Sequence, residues 1–329
     1  MALLAVACVF LISSGPQPPS CHVLFGVAAN PLSAEHNWTS ALRNFEAEVD
    51  RDVDVAHFYK RGQDKLFPTP DEANRANAGP GSLKLFYNWR PDNLTWREVA
   101  DGAADHYLHQ LAGQLSRTLH TPFFLSLSAE MESKVDPTPS SGQTAADFRD
   151  YFRHVVTLLR TTPGVSVITV MNYTGATKFA LEPWFTDLYP GNDVVDWIAQ
   201  DPYAFNLDQT PDLASLINRP NGTWPGFYNW AATHYPDKPQ MLAEWGVAIS
   251  SANPAPSAAF FVRATQQLGD YPKLRALIYW NHSGVKDDGQ VLGVGTTALG
   301  SSPEVLAAFN RFINKYTSAS PEHCRLPID

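Results

Sequence analysis

Three cysteines in 329 residues, no cluster of lysine or arginine, and no internal apolar run long enough to cross a bilayer exclude several functions at once. A formal charge of -9 with scattered cations argues against a nucleic-acid or anionic-membrane surface, so a neutral partner fits better. The ten histidines show no HExxH and no paired ligand spacing, which leaves metal catalysis without a ligand set. No G-x-S-x-G elbow occurs, and GVGTTALG from Gly293 does not lead a strand into a helix as a dinucleotide fingerprint would. No cofactor is implied. Internal repeats, interdomain linkers and low-complexity modules are also missing, and a monomer is the default expectation.

What is there begins with MALLAVACVFLI, a short apolar stretch followed by SSGPQPPS, which reads as a signal-peptide core and its exit. It has no Lys or Arg ahead of it, so the signal is atypical or the true start lies upstream. Residues 1–20 are therefore expected to be removed on export, leaving 21–329 as one domain in an extracytoplasmic setting. Cys8 would go with the signal, leaving Cys21 before the first strand and Cys324 near the C-terminus. In a closed barrel these two positions fall on the same face, which makes a disulfide between them an expectation for an exported protein.

From His22 onward, β-prone runs alternate with amphipathic ones. The strand candidates are HVLFGVA from His22, VDVAHFY from Val53, LKLFYNW from Leu83, FFLSLSAE from Phe123, VSVITVMNY from Val165, VVDWIAQ from Val194, QMLAEWG from Gln240 and LRALIYW from Leu274. Eight strands alternating with helices, with no hairpin signal, predict an α/β fold: a single-domain (β/α)8 TIM barrel. Thr144 with Asp147 predicts a capping box for the helix from Ala145, and Ser302-Pro303-Glu304 starts the last one. The run from Trp96 to Leu119 predicts the longest helix. The second and fifth helices, around Asp71 to Gly81 and Phe185 to Gly191, are expected to be poorly formed.

Two of the strands end in carboxylates. In PFFLSLSAEME, Phe124, Ser126, Ser128, Glu130 and Glu132 share one parity; in PQMLAEWGV, Gln240, Leu242 and Glu244 share one, and Met241, Ala243 and Trp245 the other. Glu is depleted in strands and seldom buried without a partner or a use. One such Glu is most simply a strand end reaching solvent. Two of them at the C-terminal ends of parallel strands fall where barrels keep their active sites. Strands four and seven face each other across the mouth, so the pair suits glycoside hydrolysis, which in its retaining form needs carboxylates roughly 5 Å apart. Glu130 is preferred to Glu132 because it stands nearer the strand terminus. The nine tryptophans and other aromatics, 12% of the chain, are core by default or platforms for sugar rings.

The order of elements, with LSAEMES ending strand four, VDWIAQDPYAF on strand six and KPQMLAEWG ending strand seven, resembles the clan of retaining barrel glycosidases and is most similar to glycoside hydrolase family 26. That resemblance implies a β-mannanase-type activity on a polysaccharide or oligosaccharide, with Glu130 as acid/base and Glu244 as nucleophile. It also implies that Tyr203 hydrogen-bonds the nucleophile and that Trp280 floors the reacting sugar. Asp201, His57, Asn88, Trp245 and Glu132 complete the candidate substrate contacts. The family usually carries His directly before the acid/base, where this chain has Ala129. Two alternatives therefore stay open: a glycan-binding barrel that does not cleave, or a β-glucanase or xylanase of the same clan.

Overall fold

The computed structural model describes residues 23–30, 38–79, 81–285 and 295–317. Residues 1–20, expected to be a signal, and Cys21 and Cys324 lie outside the described residues. Eight strands form the barrel: β1 (Leu24–Ala29), β2 (Val55–Arg61), β3 (Lys84–Arg90), β4 (Phe123–Leu127), β5 (Val167–Tyr173), β6 (Trp197–Gln200), β7 (Gln240–Val247) and β8 (Leu274–Asn281). Every neighbouring pair is parallel, β6 pairs with β7, and β8 pairs with β1, so the sheet closes as a (β/α)8 barrel.

Closure sorts the apolar residues into two layers. Leu24, Val55, Phe86, Phe124, Ile168, Val170, Trp197, Ala199, Met241, Ala243, Ala276 and Ile278 fill the barrel interior. The opposite parity of the same strands, including Phe25, Tyr87, Leu125 and Leu277, packs outward against the helices. Phe124 is fully buried and meets Trp197 edge-on at 5.3 Å, which plugs the middle of the barrel. Gly26 is needed where β1 crosses this interior, because a Cβ there would lie 2.6 Å from both Ile278 Cδ1 and the Val55 carbonyl.

The helical layer departs from expectation in one place. The run from Trp96 is two helices, Trp96–Ala100 and Asp105–Thr118, with Gly102 between them at φ 96°, a conformation L side chains rarely adopt. The longest helix is instead Ala145–Thr161, started by the expected capping box: the Thr144 hydroxyl accepts from Asp147 N and the Asp147 carboxylate accepts from Thr144 N. After β2 there is only the seven-residue helix Pro70–Ala76, and after β5 only Thr177–Ala180 and the 3-10 turn Phe185–Leu188, as the weak patterns there predict. No helix among the described residues is long and apolar enough to cross a membrane.

Candidate active site

The C-terminal mouth of the barrel collects the polar residues of the inward parity. Its geometry starts from an irregularity in β7. Leu242 pairs with Leu277 and Trp245 with Tyr279, so three steps on β7 match two on β8. Strict alternation would put Glu244 beside Leu242, facing the helices. The bulge instead turns Ala243 and Glu244 both toward the interior and sends Trp245 outward, where it is fully buried against Tyr279 and Phe261. Trp245, expected at the mouth, is thus a packing residue of the outer layer.

A bulge leaves backbone groups without ladder partners, and inside a barrel those groups must be met by something other than water. His57 on β2 places Nδ1 3.2 Å from the Ala243 carbonyl. Burial pushes the His57 pKa down to about 3, so the ring is neutral and its Nδ1–H is the donor. His57 is 1% exposed and stacked on Phe86 at 4.1 Å, so it lies beneath the mouth and not on the surface a substrate would touch. The Glu244 N–H, for its part, donates to Asp201 Oδ1 at 2.9 Å. Asp201, just past β6, is buried and supports Glu244 from below.

The Glu244 carboxylate accepts two phenol hydrogen bonds, from Tyr59 at 2.7 Å and Tyr203 at 2.8 Å. Tyr203 opens a two-residue extended segment, Tyr203–Ala204, that pairs with Gly246 and Val247 at the top of β7. Gly246 leaves room for the ring, since a Cβ there would lie 3.2 Å from it and 2.9 Å from Thr297 Cγ2. Burial first, and the Glu130 charge second, push the Glu244 pKa up to about 7, while the two phenols hold it back. Both tyrosines are driven well above their ordinary range by burial and by the Glu244 charge, so they remain donors.

Glu130 is presented differently from its sequence-based expectation. β4 ends at Leu127, and Ser128 and Glu130 both adopt left-handed backbone, at φ 50° and 59°. The turn, not the pleat, aims the side chain. Two strained non-glycine residues cost on the order of 1–3 kcal/mol each, and three successive N–H groups offset that. Ser128 N donates to the Trp89 carbonyl, Ala129 N to the Asn88 side chain at 3.1 Å, and Glu130 N to the Asn172 carbonyl at 2.9 Å. Burial raises the Glu130 pKa, with Lys134 opposing, and no donor among the described residues is aimed at its carboxylate.

Glu132 does not reach the mouth. It is 2% exposed, and its carboxylate accepts from the N–H and hydroxyl of Thr174 at 2.7 and 2.8 Å, tying the turn after β4 to the end of β5. Trp280, half-buried at the end of β8, meets Tyr203 edge-on at 5.8 Å, which puts it on the rim of the same opening. The structure thus brings together Glu130, Glu244, Tyr203, Trp280, Asn88 and Asp201, and separates His57, Trp245 and Glu132 from the opening. Tyr59 and Asn172 were missed in the sequence. Tyr59 shares the parity of His57 one step nearer the mouth, a signal that was available. Asn172 donates to Asp201 at 2.6 Å while its carbonyl holds Glu130, so one residue links the supports of both carboxylates.

A closed parallel barrel with two half-buried carboxylates at its C-terminal mouth defines the class of architecture. No family model matches the chain, and no curated protein matches it. The fold is nonetheless similar to several solved structures. A GH26 β-mannanase from Bacteroides ovatus superposes with a TM-score of 0.57 at 13% identity, covering 93% of this chain and 94% of that one. A β-mannanase from a symbiotic protist of the termite Reticulitermes speratus, solved with a gluco-manno-oligosaccharide, gives 0.55 at 13% identity, covering 92% and 88%. A ruminal GH26 endo-β-1,4-mannanase also gives 0.55 at 13% identity, covering 92% of this chain; this chain spans 63% of that one's length. These likenesses establish the barrel and the strand order.

Proposed function

We propose that this protein is a retaining glycoside hydrolase acting on a β-linked polysaccharide of the mannan type. The observation that carries the reading is the Glu244 carboxylate, gripped by two tyrosine hydroxyls and close enough to the half-buried Glu130 for the Glu130 charge to raise its pKa. Two carboxylates in one desolvated opening do not readily ionise together. Glu244, with two donors, is the better anion; Glu130, with none, keeps the proton. Glu130 then protonates the leaving oxygen as Glu244 attacks the anomeric carbon, and in the second step Glu130 takes a proton from the water that frees the sugar from Glu244. The structural neighbours solved as β-mannanases support mannan as the first substrate to try. Residues 1–20, read as an export signal, accord with a substrate met outside the cytoplasm.

Purified protein and a Glu244→Gln variant incubated with mannan, glucomannan, mixed-linkage glucan and xylan test the reading by reducing-end release. Activity on one polysaccharide that disappears in the variant supports it, and NMR of the first product should show the anomeric configuration retained. Net inversion would refute the assignment. Ala129 favours a second reading, a barrel that binds glycan without cleaving it: the residue beside Glu130 offers a methyl where the family resembled carries an imidazole. Binding without release of reducing ends from any of the four polymers would select that reading.

A further inference from the structure

Among the described residues, Phe205 is the one aromatic in the set of exposed large apolar side chains, at 39% exposure. It is not a loose surface ring. It is stacked on Tyr203, with centroids 4.9 Å apart and planes 8° from parallel, and Tyr203 in turn holds Glu244. One face of Phe205 is therefore backed by the active-site tyrosine and the other is open. The backing is itself fixed, because Arg219, at φ 45°, donates from Nη2 to the Tyr203 carbonyl at 2.6 Å while the Thr177 hydroxyl donates to the Arg219 carbonyl.

Beside this ring runs an open groove of about 610 Å³, within the size range of small-ligand sites. Its polar lining comes from Asn206, Gln209, Thr210 and Asn221, which are neutral donors and acceptors. The one cation in the lining, Arg219, already has a carbonyl partner. A flat aromatic platform with amides and a hydroxyl around it suits the apolar face and hydroxyl rim of a neutral pyranose ring.

We infer that Phe205 and this groove form an outlying subsite that binds a further sugar unit of the substrate chain, continuous with the opening at Glu244 through Tyr203. The inference rests on the proposed function for its ligand, but its test does not need turnover. Mannohexaose and mannotriose are titrated calorimetrically into the Glu244→Gln protein and into the same variant carrying Phe205→Ala or Phe205→Trp. The expected result is tighter binding of the hexaose than the triose, with the preference reduced about tenfold by Phe205→Ala, the size of one lost aromatic contact, and retained by Phe205→Trp. A hexaose preference unchanged by Phe205→Ala, equal weakening of both sugars, or no binding of either would overturn it. Equal weakening would mark Phe205 as a prop for Tyr203 only. Cleavage by the parent protein is a separate measurement, so its absence would sink the hydrolase reading while these titrations still decide the subsite.

Discussion

Glu244 rides on a bulge within a strand, whereas Glu130 rides on a left-handed turn past the end of one. The bulge exposes a carbonyl and an N–H inside the barrel, and both are met by side chains from elsewhere: His57 from β2 and Asp201 from beyond β6. The turn is held mainly by backbone acceptors on the two adjacent strands, with Asn88 as the one side chain that bonds its N–H groups. One carboxylate thus depends on distant side chains that no ladder could replace. The other depends on neighbours that come with the fold. The position of Glu244 should be the more fragile under single substitutions.

The largest expected effect removes the proposed nucleophile: Glu244→Gln should lower kcat on the active polymer at least about a thousandfold. Glu130→Gln should cost about 10²–10⁴-fold on an oligosaccharide but much less on an aryl glycoside whose leaving group needs no proton. Equal loss on both substrates would mean the roles are not divided this way. His57→Ala leaves the Ala243 carbonyl buried and unpaired, worth about 1–3 kcal/mol, and should reduce kcat roughly tenfold or more with little change in KM, with His57→Gln restoring part of it through its amide donor. Asn88→Ala should do less, about threefold, because the half-buried Ala129 N–H can turn to water. If Asn88→Ala proved the more damaging, the contrast between bulge and turn would be reversed.

Acidity offers a finer test. The proposed mechanism requires Glu244 ionised and Glu130 protonated, and both pKa values are raised by burial, so the activity profile should be a bell displaced upward from the ordinary carboxylate range toward neutral pH. Glu130→Gln removes the group whose ionisation forms the basic limb, so that limb, followed on the aryl glycoside, should disappear while the acidic limb stays close to that of the parent protein. The smallest effect concerns stability. Burial pushes the Glu132 pKa up to about 7, above its unfolded value, so the folded chain holds this proton more tightly and loses stability as pH rises from about 4.5 to 7. Glu132→Gln, which keeps an acceptor for Thr174, should stabilise the protein by on the order of 1–3 kcal/mol at pH 8 and by little at pH 4, read by thermal melting.

The barrel was legible because eight apolar runs of strand length, separated by helical patterns, leave few other closed solutions. The two catalytic candidates were legible as carboxylates where apolar strands stop. Their orientations were not. A bulge is a one-residue change in register with no composition of its own; it separates Glu244 from the face of Leu242, whose parity it shares, and sends Trp245 outward, away from the mouth. The turn at Ser128 and Glu130 uses residues with no special liking for left-handed backbone, so nothing in LSAEMES announced it. Glu132 and His57 were read as contacts because a polar residue near a strand end looks alike whether it faces the mouth or braces the wall beneath it.

The seam of the barrel bears on how the chain reaches this state. β1 shares six register pairs with β8 and two with β2. Leu24 therefore finds its main partner, Ala276, almost the whole described chain away, and such a contact carries the full entropy of closing a very long loop. A ribosome delivers β1 first and β8 last. The first strand must wait as an unpaired apolar edge until synthesis is nearly complete, so refolding from denaturant should be slow and sensitive to protein concentration, and the interval before β8 emerges is when this chain is most exposed to aggregation.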